Sequence, residues 1–432
     1  MTALVVLLVL WVIDGILSLV LGRMVASEIA RLKARGEPVS MAELAGPPIP
    51  NEQNAAFVYM GAFQAIFTRT EQQDFDALGR FLKPTEYGEP VSPAEAERIV
   101  ARYPKAIPFV RRAVEMPECR FPVNWEEGFN AMFPHLSSVR HLSQLLGATA
   151  VLDARSGRVD EALDSIELGL RMSECLKDEP SLISQLARTH SVTVMTGCLR
   201  EVLRRGDINE TRARRLSDTL ARINTTSGCV RAMQGERAEG LWLFDRIKTK
   251  GAAATFAPDP VPLGSTLRIE ASYLGRPLLH ADELAYIRMM NRVVDGAALS
   301  YREYRARGLD SLDLPDIPGY AALSNLLCPV FTRARIATDL GMAEVTGSRI
   351  VLALEAYRGR HGSYPASLGE LRSLGWKLQT EDPFSGKEFM YRTEGKGFLL
   401  YSVGRDLRDD GGHEPPVNRD SDLGDIVWRV ER

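Results

Sequence analysis

LSQLLGATAVLDARSGRVDEALDSIELGL, residues 142–170, decides the fold class. Leu142, Leu145, Leu146, Thr149 and Ala150 fall at i, i+3, i+4, i+7 and i+8, which is one face of a helix. Ser156-Gly157-Arg158 breaks the run. Ala162, Leu163, Ile166, Gly169 and Leu170 then repeat the same spacing. The stretch therefore reads as a helical hairpin, extending from about Leu136 to Leu176.

Its second half, Gly157-Arg158-x-x-Glu161-Ala162-Leu163 with Ile166 and Gly169, resembles the second helix of a tetratricopeptide-type hairpin. Small residues at Ala162 and Gly169 would let the two helices approach closely. No 34-residue period accompanies them, so an array of such repeats is not supported. Pro180 suits the first turn of a further helix, which Gly206-Asp207 ends. From Asn54 onward the pattern is helical almost throughout, so residues 54–334 read as a mainly α domain. Gly251–Leu263 and Leu309–Pro318 read as loops.

Towards the start, Thr2–Gly22 is apolar apart from Asp14, and Arg23 closes the run. Its length matches the hydrocarbon thickness of a bilayer. A cleaved signal peptide would need a basic start and a shorter apolar core, so residues 1–22 read as a transmembrane anchor. Asp14 costs about 2.5–3.5 kcal/mol on insertion scales, which the many Leu and Val residues outweigh. Ser27–Arg35 reads as a short polar helix stopped by Gly36 and Pro38. Gly46-Pro47-Pro48-Ile49-Pro50 reads as a stiff linker, so residues 23–53 connect anchor and body.

The 432 residues exceed what one core usually serves, which suggests two folded units. A formal net charge of −3 implies no basic face for nucleic acid. The five cysteines form no CxxC pair and read as buried free thiols. No phosphate cradle, dinucleotide fingerprint, HExxH or GxSxG is present. The adjacent Glu126-Glu127 would point apart on a helix and make a poor acid/base pair. His190 falls on an apolar helix face with Ile183, Leu186, Ala187 and Val194, which favours a core role over a ligand role. His135 and His141 bracket Arg140, and packing is again favoured over lining a groove. No catalytic or cofactor-binding residue is assigned.

From about Arg335 the sequence reads as a long helix with Ala343, Gly347, Ile350, Leu354 and Tyr357 along one seam, ended by His361-Gly362. Asp382-Pro383-Phe384-Ser385-Gly386 is a turn cluster. Glu388–Arg392 and Gly397–Ser402, joined by Glu394-Gly395-Lys396, give a hairpin signal. Alternating Ile426, Trp428 and Val430 supply a third strand. Residues 335–432 thus read as a small α+β domain able to fold on its own.

The C-terminal stretch of about 90 residues resembles the C-terminal half of the major pseudopilin of type II secretion systems. The matching pieces are Tyr364-Pro365, Asp382-Pro383-x-x-Gly386 leading to Tyr391, Tyr401-Ser402-Val403-Gly404-x-Asp406, Gly411-Gly412 and Asp420-Ser421-Asp422-Leu423-Gly424. The resemblance implies a Ca²⁺ site in the final loop, with Asp406, Asp420 and Asp422 as ligands and the Val403 carbonyl as a further one. Oxygen ligands from an acidic loop suit that ion. Some 300 intervening residues and the lack of a processing site near Met1 separate the chain from a pilus subunit. The whole pattern also resembles large membrane-anchored proteins of planctomycete-type bacteria, which implies no activity.

The expectation is a membrane-anchored bacterial envelope protein, a non-enzymatic scaffold that contacts other proteins. Its alternatives are an accessory component of a secretion or pilus-like machine, and an envelope enzyme with an unrecognised site. Arg23, Arg31, Lys33 and Arg35 follow the span, which points the body towards the cytoplasm. The pseudopilin resemblance implies the exocytoplasmic side.

Overall fold

The computed structural model of the chain describes residues 2–83, 89–251, 275–309, 317–327, 329–413 and 424–431. Most of the two loops expected around Gly251–Leu263 and Leu309–Pro318 lies outside them. The chain is mainly helical, with a small three-stranded sheet and one apolar N-terminal helix.

The first helices are α1 (Thr2–Ala34), α2 (Met41–Ala45), α3 (Ala56–Ile66), α4 (Glu71–Leu82), α5 (Pro93–Val100) and α6 (Ala106–Ala113). The expected hairpin follows as α7 (His135–Arg155) and α8 (Val159–Ser173). Gly157 turns it at φ 78°, a conformation glycine reaches without steric cost, and Arg158 N–H donates to the Asp153 carbonyl at 2.9 Å. The helix α9 (Leu182–Leu203) packs across both. Gly169 lies directly under Met195 of α9, so the small residue admits this third helix rather than α7.

Next come α10 (Glu210–Ala221) and α11 (Thr225–Lys250), each opened by an asparagine cap: Asn209 accepts from Arg212 N–H and Asn224 from Ser227 N–H. The remaining helices are α12 (Arg276–Ala297), α13 (Tyr301–Ala306), α14 (Ala322–Leu327) and α15 (Pro329–His361). Strands β1 (Met390–Glu394), β2 (Gly397–Ser402) and β3 (Ile426–Val430) pair antiparallel in the order β1-β2-β3. The first strand is displaced two residues from the expected Glu388–Arg392. Glu394 pairs with Gly397, which leaves a two-residue turn.

The expected boundary at 334/335 falls inside α15. There the buried Arg335 guanidinium donates to the carbonyls of Gly296, Ala297 and Leu299, at the end of α12, and pairs with Asp339 at 2.8 Å. One hydrophobic cluster runs from Ala55 through the hairpin and α9 to Phe398, Leu400, Trp428 and Val430 of the sheet. The sheet and the helical body therefore share a core. Trp428 lies against Gly347 of α15, where a Cβ would collide with the indole. Arg200 of α9 donates to the Val427 carbonyl at 3.1 Å, pairs with Glu344 at 2.9 Å and stacks on the Trp428 ring.

Candidate functional site

The features that combine buried charge, exposed apolar surface and an open cleft meet where α1 enters the body. α1 does not stop at Gly22. It continues as one helix to Ala34, where the sequence suggested an anchor and a separate short helix. The described large apolar side chains from Leu4 to Val20 are all exposed. Val25 and Leu32, 4% and 0% exposed, are buried with Leu241 of α11 and Leu284 and Ile287 of α12, and Ile29 packs beside them. The helix is thus two-part in environment and single in geometry.

The neighbouring helices have defined directions. Gly22 faces the His280 ring, while Val25 and Leu32 reach Leu284 and Ile287, so α12 runs parallel to α1. On α11, Arg237 meets Asn291, Phe244 meets Tyr286 and Lys248 meets Glu283, so α11 runs the other way. A lock closes the far end. The Arg237 guanidinium, fully buried, sits 2.7 Å from Glu37 Oε2 and donates to Asn291 Oδ1 at 3.0 Å. Arg35 holds the other Glu37 oxygen at 2.8 Å. A buried charge is tolerated only when paired, so the end of α1 is tied to α11 by this contact.

Glu236 and Glu239 lie half-buried beside Arg237 on the same helix. Burial pushes Glu236 up, partly offset by a bond from Leu182 N–H at 2.9 Å. Glu239 is pushed up to about 8 by burial and by the Glu236 carboxylate. A cleft of about 510 Å³ opens next to the lock, lined by Lys33, Glu37, Glu43, Arg231 and Gln234. The segment read as a linker packs down rather than spanning free space. Met41 and Leu44 are buried against Trp125 and Ala238, and Arg120 donates to the Pro47 carbonyl.

The expected ion ligands fare differently. Asp406 Oδ1 accepts from Arg408 N–H at 3.1 Å, and its carbonyl accepts from Arg305 at 3.2 Å. Asp420 and Asp422 lie outside the described residues. Among the described residues no group of three or more His, Cys, Asp or Glu side chains converges to hold a metal. The buried carboxylate of this corner is Asp425, 3% exposed, which accepts from Gly412 N–H at 2.7 Å. It is pushed up to about 6, first by burial and then by Asp410 and Asp409. Asp409 in turn accepts from Tyr401 OH and Gly411 N–H, both at 2.9 Å. The Gly411-Gly412 pair was the sequence signal for this pocket, since it brings backbone N–H groups to both carboxylates.

His135 and His141 are both buried on α7. His135 pairs with Glu179 at 2.9 Å and stacks on Phe121; His141 pairs with Glu71 at 3.0 Å and stacks on Phe75. Both therefore sit in packed, acid-satisfied positions. Burial pushes the Cys175 thiol well up and Cys198 to about 12, away from the thiolate that nucleophilic chemistry needs. Glu126 and Glu127 are exposed, and Glu127 accepts from the Asn124 amide at 2.8 Å. No family model, curated protein or solved structure matches the chain.

Proposed function

We propose that the chain is a single-span membrane protein whose first helix fixes a helical body at the bilayer surface, where it serves as a non-enzymatic scaffold for protein contacts. The observation that carries this reading is the continuity of α1 from exposed apolar surface into the core at Val25 and Leu32. A protein that only had to be retained at a membrane could leave its anchor on a flexible linker. A helix locked by Arg237 and Glu37 instead sets the height and rotation of everything attached to it. The test uses permeabilised membranes carrying the full chain, washed with carbonate and then treated with trypsin. The chain should stay in the pellet, and Arg23, Arg31, Lys33 and Arg35 should resist cleavage, because a docked helix cannot extend into a protease. Recovery in the wash would defeat the anchor, and rapid cleavage at those residues would defeat the rigid joint.

A second reading makes the C-terminal sheet a pseudopilin-like docking module for a secretion or pilus-like machine, with Ca²⁺ held by Asp406, Asp420 and Asp422. Asp425 favours it: a buried carboxylate crowded by Asp409 and Asp410 is relieved by a cation. Melting the full chain in CaCl₂, MgCl₂ and chelator tests it. Equal midpoints would remove the ion.

A further inference from the structure

The anchor reading gives the body a height scale, and the following inference rests on it. An α-helix rises 1.5 Å per residue, so the twenty residues Thr2–Leu21 span about 30 Å, the thickness of the hydrocarbon core. Gly22 then marks the level of the lipid headgroups. Three other pieces of chain reach the same level. α12 begins there, since its His280 faces Gly22. α11 ends there, since Lys248 bonds Glu283 only one turn from His280. The start of α14 is held there, because Leu323 N–H and Ser324 N–H donate to the buried Asp282 at 2.8 and 3.2 Å.

The residues these pieces turn outward share a chemistry. Leu278, Tyr320 and Leu326 are 38%, 44% and 56% exposed, so α12 and the stretch around α14 turn large apolar side chains to the surface. Arg23, Lys250 and Arg276 are exposed among them. Tyr320 also borders a cleft of about 590 Å³ between α1 and α12, with Leu21 and Met24 at its membrane end and Arg288 further up α12. Apolar and aromatic side chains that dip below a layer of cations are what an interface with acidic phospholipids accepts. This rim is continuous with the lipid-facing stretch of α1, which argues for the bilayer as its occupant.

We propose that this rim of the body rests on the bilayer and favours anionic headgroups, so that the body is held by a face as well as by a helix. The probe is p-benzoylphenylalanine placed, in separate full-length chains, at positions 278, 326 and 390. Met390 is also exposed and apolar, but it lies in the sheet, whose flanking turns at Phe384 and Arg405 meet Tyr301 just past the far end of α12. Each chain is reconstituted into phosphatidylcholine vesicles with or without phosphatidylglycerol, irradiated, and examined by mass spectrometry for lipid adducts. Positions 278 and 326 should give adducts at least five-fold above position 390, with more in the anionic vesicles. Combining Lys250→Glu with Arg276→Glu should remove the anionic preference. Carbonate-resistant chains without adducts at 278 and 326 would overturn this inference and leave the anchor standing. Adducts equal at all three positions, or indifferent to headgroup charge, would overturn it as well. Chains extracted by carbonate would overturn the anchor and this inference together.

Discussion

The chain has two joints, and they are built differently. The sheet meets the helical body through a continuous apolar core, with Trp428 set against Gly347 and Phe398, Leu400 and Val430 in the same cluster as the hairpin. The N-terminal helix meets the body along a helix-to-helix seam through Val25, Ile29 and Leu32, closed by the Arg237–Glu37 ion pair. The first joint is part of the main core, whereas the second is a separate small apolar cluster closed by an ion pair. A change at the first should therefore cost the whole fold, while a change at the second should free one helix and leave the rest.

Trp428→Ala is the strongest challenge to the first joint. Emptying that site should cost about 3–5 kcal/mol. Because the core is shared, the sheet and the hairpin should melt together and earlier, as followed by circular dichroism and by amide exchange. If the sheet alone were lost while the hairpin kept its stability, the joint would be a contact between separate units.

Arg237→Ala challenges the second joint. It leaves Glu37 partly buried and keeps only Arg35 as its partner. Losing one member of a buried pair costs about 3–5 kcal/mol in full burial, and Glu37 keeps some water contact, so the lower end is expected. The loss should be local. Trypsin should now cut near Arg31 and Arg35, while the body's melting midpoint moves little. An unchanged cleavage pattern would mean that the seam alone holds α1.

Glu239 sharpens the comparison through pH. Its folded-state value is raised, so the folded chain holds a proton that the unfolded chain releases. That contribution is fully present below the usual carboxylate range and is lost as pH rises towards 8. Chemical denaturation between pH 5 and 8 should show falling stability, bounded by about 1.4 kcal/mol per pH unit. Glu239→Gln should flatten the profile, and an unaltered slope would place the proton elsewhere. The smallest effect is expected at Asp425, raised to about 6 and so destabilising as pH climbs through 4 to 6. Asp425→Asn should flatten only that acidic portion of the profile.

How much of this was legible in the sequence follows from where the signals lie. The hairpin could be read because its apolar residues keep a 3.6 period on both sides of Gly157, and a left-handed turn there needs glycine. The strands could be read from their alternation and the Glu394–Gly397 turn. The length of α1 could not. Ser27, Glu28, Arg31 and Lys33 give its second half a polar face that hides the spacing of Val25, Ile29 and Leu32. Nor could the shared core, since the apolar seam of α15 looks the same whichever element it packs against. The lock joins residues 200 positions apart, and only folding brings Arg237 to Glu37. At the acidic corner the sequence marked the loop but not its buried member, because burial rather than residue type singles out Asp425.

The central claim is that α1 runs unbroken from its exposed apolar stretch into the core of the body. Amide hydrogen exchange over Arg23–Ala34, measured on the full chain in bilayers, tests it most directly. A free connector exchanges within seconds, whereas a helix docked in the core exchanges only when the joint opens. The expected result is protection at Val25, Ile29 and Leu32 comparable to that of α12, falling selectively in Arg237→Ala. Exchange over those residues as fast as in an unstructured peptide, with α12 still protected, would contradict the account.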